Sequence, residues 1–290
     1  MSWRIVIISK RAKLDLSLES MVVRGEDSTR IHLAEISVLI IENTAVSLTA
    51  ALLCELVKRK VKVIFCDEKR NPISELVPLY GRYDSSAKVR MQCAWSEYTK
   101  GSVWTAIVRE KIDKQRTLLA EFSLPEEKLL SGYISELEYM DSTNREGHAA
   151  KVYFNALFGM QFSRSSEIPI NAALNYGYSI LLSAINREIT INGYITQLGI
   201  HHDNMFNHFN LGSDLLEPFR PLVDRTVHKM NPEKLGKDEK LKMIDILNQT
   251  VIVDGKEQYV NNAIKIYCKS VFDAMNEADI SLLRFYRNEL

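Results

Sequence analysis

The chain has 290 residues, 46% of them hydrophobic, and Lys+Arg and Asp+Glu each number 37, giving a formal net charge of zero. That length and apolar content suffice for a sizeable core in one large domain or two. The zero balance excludes a chain that binds nucleic acid by bulk charge, so any DNA contact must come from local clustering.

No apolar run reaches the length of a membrane span. The opening MSWRIVIISKRAKLDL has too short an apolar run, with charges too close behind it, for a signal peptide. Cys54, Cys66, Cys93 and Cys268 are scattered, with no C-x-x-C pair. These features predict a cytoplasmic protein with reduced, structural thiols and no membrane partner.

In chain order, residues 3–9 are rich in β-branched side chains and residues 12–17 alternate apolar with polar, so both read as strands. Residues 21–24 and 29–33 flank Gly25-Glu26-Asp27-Ser28 and read as a hairpin. Residues 38–41 form a short buried strand candidate. Ser47 is a plausible N-cap for the helix LTAALLCELVKRK, with Leu48, Leu52, Leu53 and Leu56 at helical spacing, and residues 61–66 read as a further strand. A β-rich domain with one helix is thus expected over 1–80, ending near 79–82, where Pro78, Gly81 and Asp84-Ser85-Ser86 change the character of the chain. Its dense basic run, Lys58-Arg59-Lys60-Val61-Lys62, reads as a solvated helix end.

From about residue 86 the pattern becomes helical. Residues 88–100 and 102–119 carry apolar side chains three and four apart. Arg109, Lys111, Lys114 and Arg116 read by default as a solvated basic face, with a DNA-backbone role only if that face lies beside a metal site. The acidic Glu126, Glu127, Glu136, Glu138 and Asp141 solvate the approach to a helix starting near Thr143. Pro169 opens a helix over 170–188, apolar nearly all round and expected at the centre of the core; Asn171, Asn175 and Tyr178 are its polar exceptions, most simply buried hydrogen-bonding groups. Residues 231–290 continue in helical fashion around one turn-like insert, Val253-Asp254-Gly255-Lys256. The expected class is therefore α+β: a small N-terminal β-rich domain followed by a larger all-α catalytic domain over 81–290.

Chemistry-bearing residues concentrate in 197–224, QLGIHHDNMFNHFNLGSDLLEPFRPLVD. It holds His201, His202 and His208, with Asp214 and Glu217 three apart on one side of a helical turn. Imidazole plus carboxylate suits Mn²⁺ or Mg²⁺, and the lack of nearby cysteine argues against a closed structural zinc site. Helix capping is the competing explanation, with Asp214 as N-cap or Glu217 capping a helix that begins at Pro218. Upstream, Glu146 is open to the same alternative, a capping box with Thr143. The Gly147 that follows costs about 1 kcal/mol relative to alanine in a helix, which points to a close approach. Arg220 and Arg225 could bind phosphate or pair with local carboxylates.

Four linked motifs, R-E-G-x-x-A-x-x-Y-F, P-I-N-A-A-L-N-Y-G-Y-S-I-L-L, L-G-I-H-H and D-L-L-E-P-F-R-P-L-V-D, run in this order across the C-terminal two thirds of the chain. Together they resemble the CRISPR-associated integrase/endonuclease family, the larger of the two spacer-acquisition proteins. The resemblance implies Glu146, His202 and Glu217 as catalytic ligands of Mg²⁺ or Mn²⁺, with Asp214, Arg220, Asn175 and Tyr178 auxiliary. His202 is preferred to His201 because it follows the glycine by three and only one of two neighbours can meet the ion; His208 reads as a surface or packing residue. The implied reaction is integration, in which the 3′-hydroxyl ends of captured DNA are joined to the CRISPR repeat by transesterification. Metal-dependent hydrolysis of branched or single-stranded DNA is the alternative, and a catalytically idle DNA-binding scaffold would require the carboxylates to be mere caps. The implied partners are double-stranded DNA, as prespacer and repeat, a small ferredoxin-like companion protein, and a second copy docked through the N-terminal domain. The L-G-I-H-H-D-N version is similar to type II systems, where further adaptation proteins take part.

Overall fold

A computed structural model describes residues 4–68, 70–76 and 83–287. The boundary expected near 79–82 lies outside the described residues. The chain divides into two compact units, Met1–Tyr83 and Asp84–Leu290.

The first unit runs β1 (Arg4–Ile8), β2 (Lys13–Ser17), β3 (Ser20–Arg24), β4 (Ser28–His32), β5 (Ile36–Ile41), β6 (Ser47–Leu48), α1 (Ala50–Lys58), β7 (Lys62–Cys66) and β8 (Pro72–Leu76). One sheet has the order β1-β5-β7-β8, the other β4-β3-β2-β6. The run ISVLII makes β5 a centre strand, buried at every position between parallel β1 and β7, as parallel strands covered on both faces must be. Leu14 and Met21 from one sheet, Leu39 and Val63 from the other, and Leu52 and Leu56 from α1 share one core. Each such burial contributes about 1.5–3 kcal/mol. Two local expectations are corrected. Thr49, not Ser47, caps α1, its Oγ1 accepting from the Leu52 N–H, because Ser47 is already paired in β6. Lys62 is not on a helix end; it is buried in β7 and paired with Glu75 of β8.

The second unit runs α2 (Ser85–Cys93), α3 (Glu97–Glu121), α4 (Glu127–Ser135), α5 (Arg145–Phe158), α6 (Pro169–Ile191), α7 (Asn210–Leu216), α8 (Arg220–Met230), α9 (Lys237–Asp245), β9 (Thr250–Val253), β10 (Lys256–Tyr259) and α10 (Val260–Glu277). Among the described residues it is helical, as expected for the larger domain, apart from one short hairpin. Asp254 and Gly255 both take positive φ, 50° and 73°, and so form a tight turn whose twist suits two paired strands. α6 starts with Pro169 in its first turn and packs on α7, α8, α9 and α10.

α3 spans about 37 Å at 1.5 Å per residue and packs on α4, α5, α8 and the Glu217–Phe219 turn. Its buried stripe contains Trp104, Ile107, Val108, Ile112, Leu118 and Leu119, and Lys111 and Lys114 fall in the same stripe, 8% and 3% exposed. The solvated basic face is thus wrong for both lysines, although Arg109 is exposed and Arg116 half-buried. Lys114 pairs with Glu110 at 2.8 Å and donates to the carbonyl of Tyr286. Arg287 exchanges backbone hydrogen bonds with Ile252 on β9, and the buried Tyr286 hydroxyl donates to the Pro218 carbonyl at 3.0 Å. Tyr286 is thereby stitched to the turn that carries Glu217, and Arg287 to β9. Among the described residues, no helix is long and apolar enough to cross a membrane.

Tyr286→Phe, which deletes only this hydroxyl, should lower the free energy of unfolding by about 1 kcal/mol, and Tyr286→Ala by about 3–5 kcal/mol. Urea midpoints at unchanged m-value would measure both. A phenylalanine variant as stable as the parent would show that the stitch contributes nothing.

Candidate active site

Three elements distant in sequence supply the site. The first is the start of α5. Asp141 accepts the N–H groups of Arg145 at 2.6 Å and Glu146 at 3.0 Å, while Asn144 turns the chain with φ 54°. Asp141 therefore does the capping, no box forms between Thr143 and Glu146, and the Glu146 carboxylate is free to point elsewhere. Gly147 has a local reason: a Cβ there would lie 2.7 Å from the Asn144 side-chain oxygen. The close approach inferred from that glycine is made by this chain's own Asn144.

The second element is the loop before α7. Asp214 is fully buried, and its carboxylate accepts the N–H groups of Ile200 (2.6 Å), His201 (3.1 Å) and His202 (3.1 Å) and meets the His202 Nδ1 at 2.6 Å. One carboxylate thus fixes both the backbone and the ring of His202 and leaves Nε2 as the nitrogen facing outward. Gly199 makes this possible, since a Cβ there would sit 2.3 Å from the His202 carbonyl and 2.7 Å from Asp214 Oδ2. The hydrogen bond to the Asp214 carboxylate raises the His202 pKa; burial opposes it, and the charges of Asp214, Glu217 and Glu146 add to it. The neighbouring His201 lies flat on Trp104, ring centroids 4.3 Å apart, whereas Trp104 meets His202 edge-on at 5.8 Å. The two rings thus meet Trp104 in different ways, and His202 is the one whose ring nitrogen is held by Asp214. His208 is exposed.

The third element is the short 3₁₀ turn Glu217–Phe219 between α7 and α8. Pro218 and Pro221 lack the N–H groups that would continue an α-helix here. Glu217 makes no capping bond. Its Oε1 accepts from Arg220 Nε at 2.9 Å; its Oε2, buried and without a well-aligned hydrogen bond, lies 2.5 Å from Lys111 Nζ. The same Nζ donates to Glu146 Oε1 at 2.5 Å. One ammonium on α3 thus joins the carboxylates of α5 and the turn. Burial pushes the Glu217 pKa up, but Lys111 and Arg220 outweigh it and hold the group at about 2. Burial works against the Lys111 charge as well, yet Glu217 and Glu146 leave its pKa raised.

Behind Arg220 lies a further buried carboxylate, Asp224, which accepts the hydroxyls of Tyr153 at 2.8 Å and of Tyr178. Arg220 sits over the Tyr178 ring, 4.7 Å from its centroid. Arg164 donates to Asn171 at 2.6 Å and Asn175 at 2.7 Å. Asn171 and Tyr178 are buried hydrogen-bonding groups, as read, but Asn175 is exposed. Arg225 pairs with Glu121 at 2.8 Å.

Among the described residues, no three carboxylate, imidazole or thiol groups stand close enough to form a ready metal cage. Between Glu146 and Glu217 the place is taken by the Lys111 ammonium. The donor chemistry nevertheless fits a hard divalent cation: two carboxylates directed at one cationic centre, and an imidazole whose other nitrogen is held by a carboxylate. Sequence reasoning missed Lys111, Trp104, Asp141 and Tyr153 as members of this arrangement. A signal existed for Lys111, which continues the 104, 107, 108 stripe by one turn and is therefore inward-facing by phase. Nothing local marked the Trp104 stacking.

The sequence profile of the family described as "CRISPR associated protein Cas1" matches residues 5–243. The chain is 38% identical over 231 residues to a CRISPR-associated endonuclease Cas1 of Neisseria meningitidis serogroup C (strain 8013), covering 78% of this chain and 75% of that protein. Its fold is similar to that of a casposase bound to integration product, with TM-score 0.77 and 17% identity over 95% of this chain and 91% of the other. It is also similar to a chain of a Cas6-RT-Cas1–Cas2 complex, with TM-score 0.72 and 17% identity over 99% of this chain and 36% of the other.

Burial lifts the pKa of Asp224 from 3.8 to about 6, against the lowering effect of the Tyr178 and Tyr153 hydroxyls. The folded state then binds this proton more tightly than the unfolded state. Stability contributed by the protonated form is complete below about pH 4 and lost as pH rises to 6, by about 3 kcal/mol at 1.36 kcal/mol per unit. Asp224→Asn should flatten the stability profile between pH 4 and 6, as read by thermal melts across that range. Retention of the parent's slope would place the titration elsewhere. Glu217 gives the opposite slope, losing stability as pH falls from 4.5 to about 2, so the two windows are separable.

Proposed function

The chain belongs to the CRISPR-associated Cas1 family, and from that premise we propose that it is a DNA integrase of CRISPR adaptation, joining the 3′-hydroxyl ends of captured DNA to the CRISPR repeat by transesterification. The observation that carries this reading is the convergence of Glu146 and Glu217 on one cation position beside His202, which Asp214 holds. Glu146, His202 and Glu217 are the proposed ligands of Mg²⁺ or Mn²⁺. A bound ion of this kind polarises a scissile phosphate and neutralises charge that develops on it.

The protein's own residues supply position. Asp214 fixes the imidazole and its loop, and Arg220 fixes one oxygen of Glu217. Tyr178, held by Asp224, supports the Arg220 guanidinium from behind. Because the attacking group belongs to DNA, this chemistry requires no protein nucleophile. The casposase neighbour, solved with an integration product, and the neighbour from an assembly containing Cas2 support DNA and a small companion protein as partners. That the companion is ferredoxin-like, that the β-rich unit forms a homodimer, that a type II system is involved and that the protein acts in the cytoplasm belong to the same proposal.

A second reading uses the same residues with water as nucleophile, and the name endonuclease carried by the Neisseria relative favours it. The test is a strand-transfer assay with the purified chain, its companion protein, labelled duplex with free 3′-hydroxyls, a supercoiled plasmid bearing the repeat and Mn²⁺. The parent should join label to plasmid, and His202→Ala should reduce joining by about 100-fold or more. Cut ends without joined strands would replace integration by hydrolysis. Equal joining by parent and variant would remove His202 from the chemistry.

A further inference from the structure

Lys111 is out of place by ordinary rules, because a lysine in the apolar stripe of a long helix is seldom tolerated without full compensation. Here the compensation is specific. Its Nζ lies 2.5 Å from Glu146 Oε1 and 2.5 Å from Glu217 Oε2. Arg220 serves the other oxygen of Glu217, so Lys111 is the cation common to both carboxylates. Without it, two negative groups from α5 and the 3₁₀ turn would face each other across a partly buried gap, where like charges repel strongly.

We propose that Lys111 is an internal counter-ion that keeps the two carboxylates assembled in the absence of metal, and that a divalent ion enters by displacing its ammonium from between them. This inference rests on the metal-dependent reading above. An ammonium at hydrogen-bonding distance and a metal at coordination distance require the same place between the same oxygens, and their mutual repulsion forbids both at once. The exposure gradient gives the exit. The Glu217 side chain is 5% exposed and that of Lys111 10%, whereas Glu146 and His202 are 26% and 40% exposed, so the ammonium leaves, and the ion arrives, on the Glu146 and His202 side. Lys111 is thus a positioning residue that sets how tightly the ion is held.

The test is Mn²⁺ binding to the full chain without DNA, by titration calorimetry or the loss of the free Mn²⁺ paramagnetic resonance signal, together with thermal melts with and without Mn²⁺. Lys111→Met should bind Mn²⁺ about tenfold or more tighter than the parent, because the ion no longer competes with a unit charge at contact distance. It should melt lower than the parent without metal and show the larger upward shift when Mn²⁺ is added. Lys111→Gln, which keeps a hydrogen-bond donor but loses the charge, gives the same reading if the methionine variant aggregates. Lys111→Arg, which keeps the charge, should restore metal-free stability without the gain in affinity. Mn²⁺ binding that is unchanged or weaker in both neutral variants would overturn the displacement idea while leaving the metal reading intact. No Mn²⁺ binding by parent or variants would overturn both.

Discussion

A carboxylate removed from water must find its donors inside the fold, and the helical unit buries three in close succession, Asp214, Glu217 and Asp224. Each is compensated differently. Asp214 collects three backbone N–H groups and an imidazole, Glu217 collects an ammonium and a guanidinium, and Asp224 collects two phenolic hydroxyls. Leaving any of these charges without its donors would cost several kcal/mol, so the elements that bear the donors are held in register with α7, α8 and the turn between them. These contacts tie α3 through Lys111, α5 through Tyr153 and the histidine loop through its N–H groups to the segment that carries the three carboxylates.

The apolar scaffold makes that compensation possible by excluding water. α6 packs on α7, α8, α9 and α10, and Tyr286 lies against Phe219 with its hydroxyl on the Pro218 carbonyl. Within such an interior the same side chains that stabilise the fold also aim the candidate ligands. Asp214 is both a loop organiser and the partner of His202, so its structural and proposed functional roles are one interaction.

The elements legible in the sequence were those governed by short-range chemistry. β-Branched runs marked β1, β5 and β7, turn residues marked the β3–β4 hairpin, and Pro169 marked the start of α6. The linked motifs pointed to Glu146, His202, Asp214 and Glu217, which the fold brings into one neighbourhood although they come from a helix start, a loop, a helix and a 3₁₀ turn. Misreadings arose where two local explanations had equal force. Thr143 and Glu146 fit a capping box by sequence, yet Asp141 does the capping; Asp254-Gly255 is the turn its residues mark, but strands β9 and β10 flank it where helix is expected. Asn175 was read as buried from its place on an apolar helix, yet it faces outward with Arg164 as its partner.

Composition, periodicity and turn chemistry were enough to read the α+β class, a β-rich unit followed by a helical one, because each depends on interactions over a few positions; the candidate ligands came from the linked motifs. The partner of each charge was settled by packing. Lys111 lies 35 residues from Glu146 and further still from Glu217, and its basic neighbours along α3 made it look like part of a solvated face. Only when α3, α5 and the Glu217 turn come together does that lysine become the buried cation between two carboxylates. A charge's environment is a property of the space around it, which residues remote in the chain create.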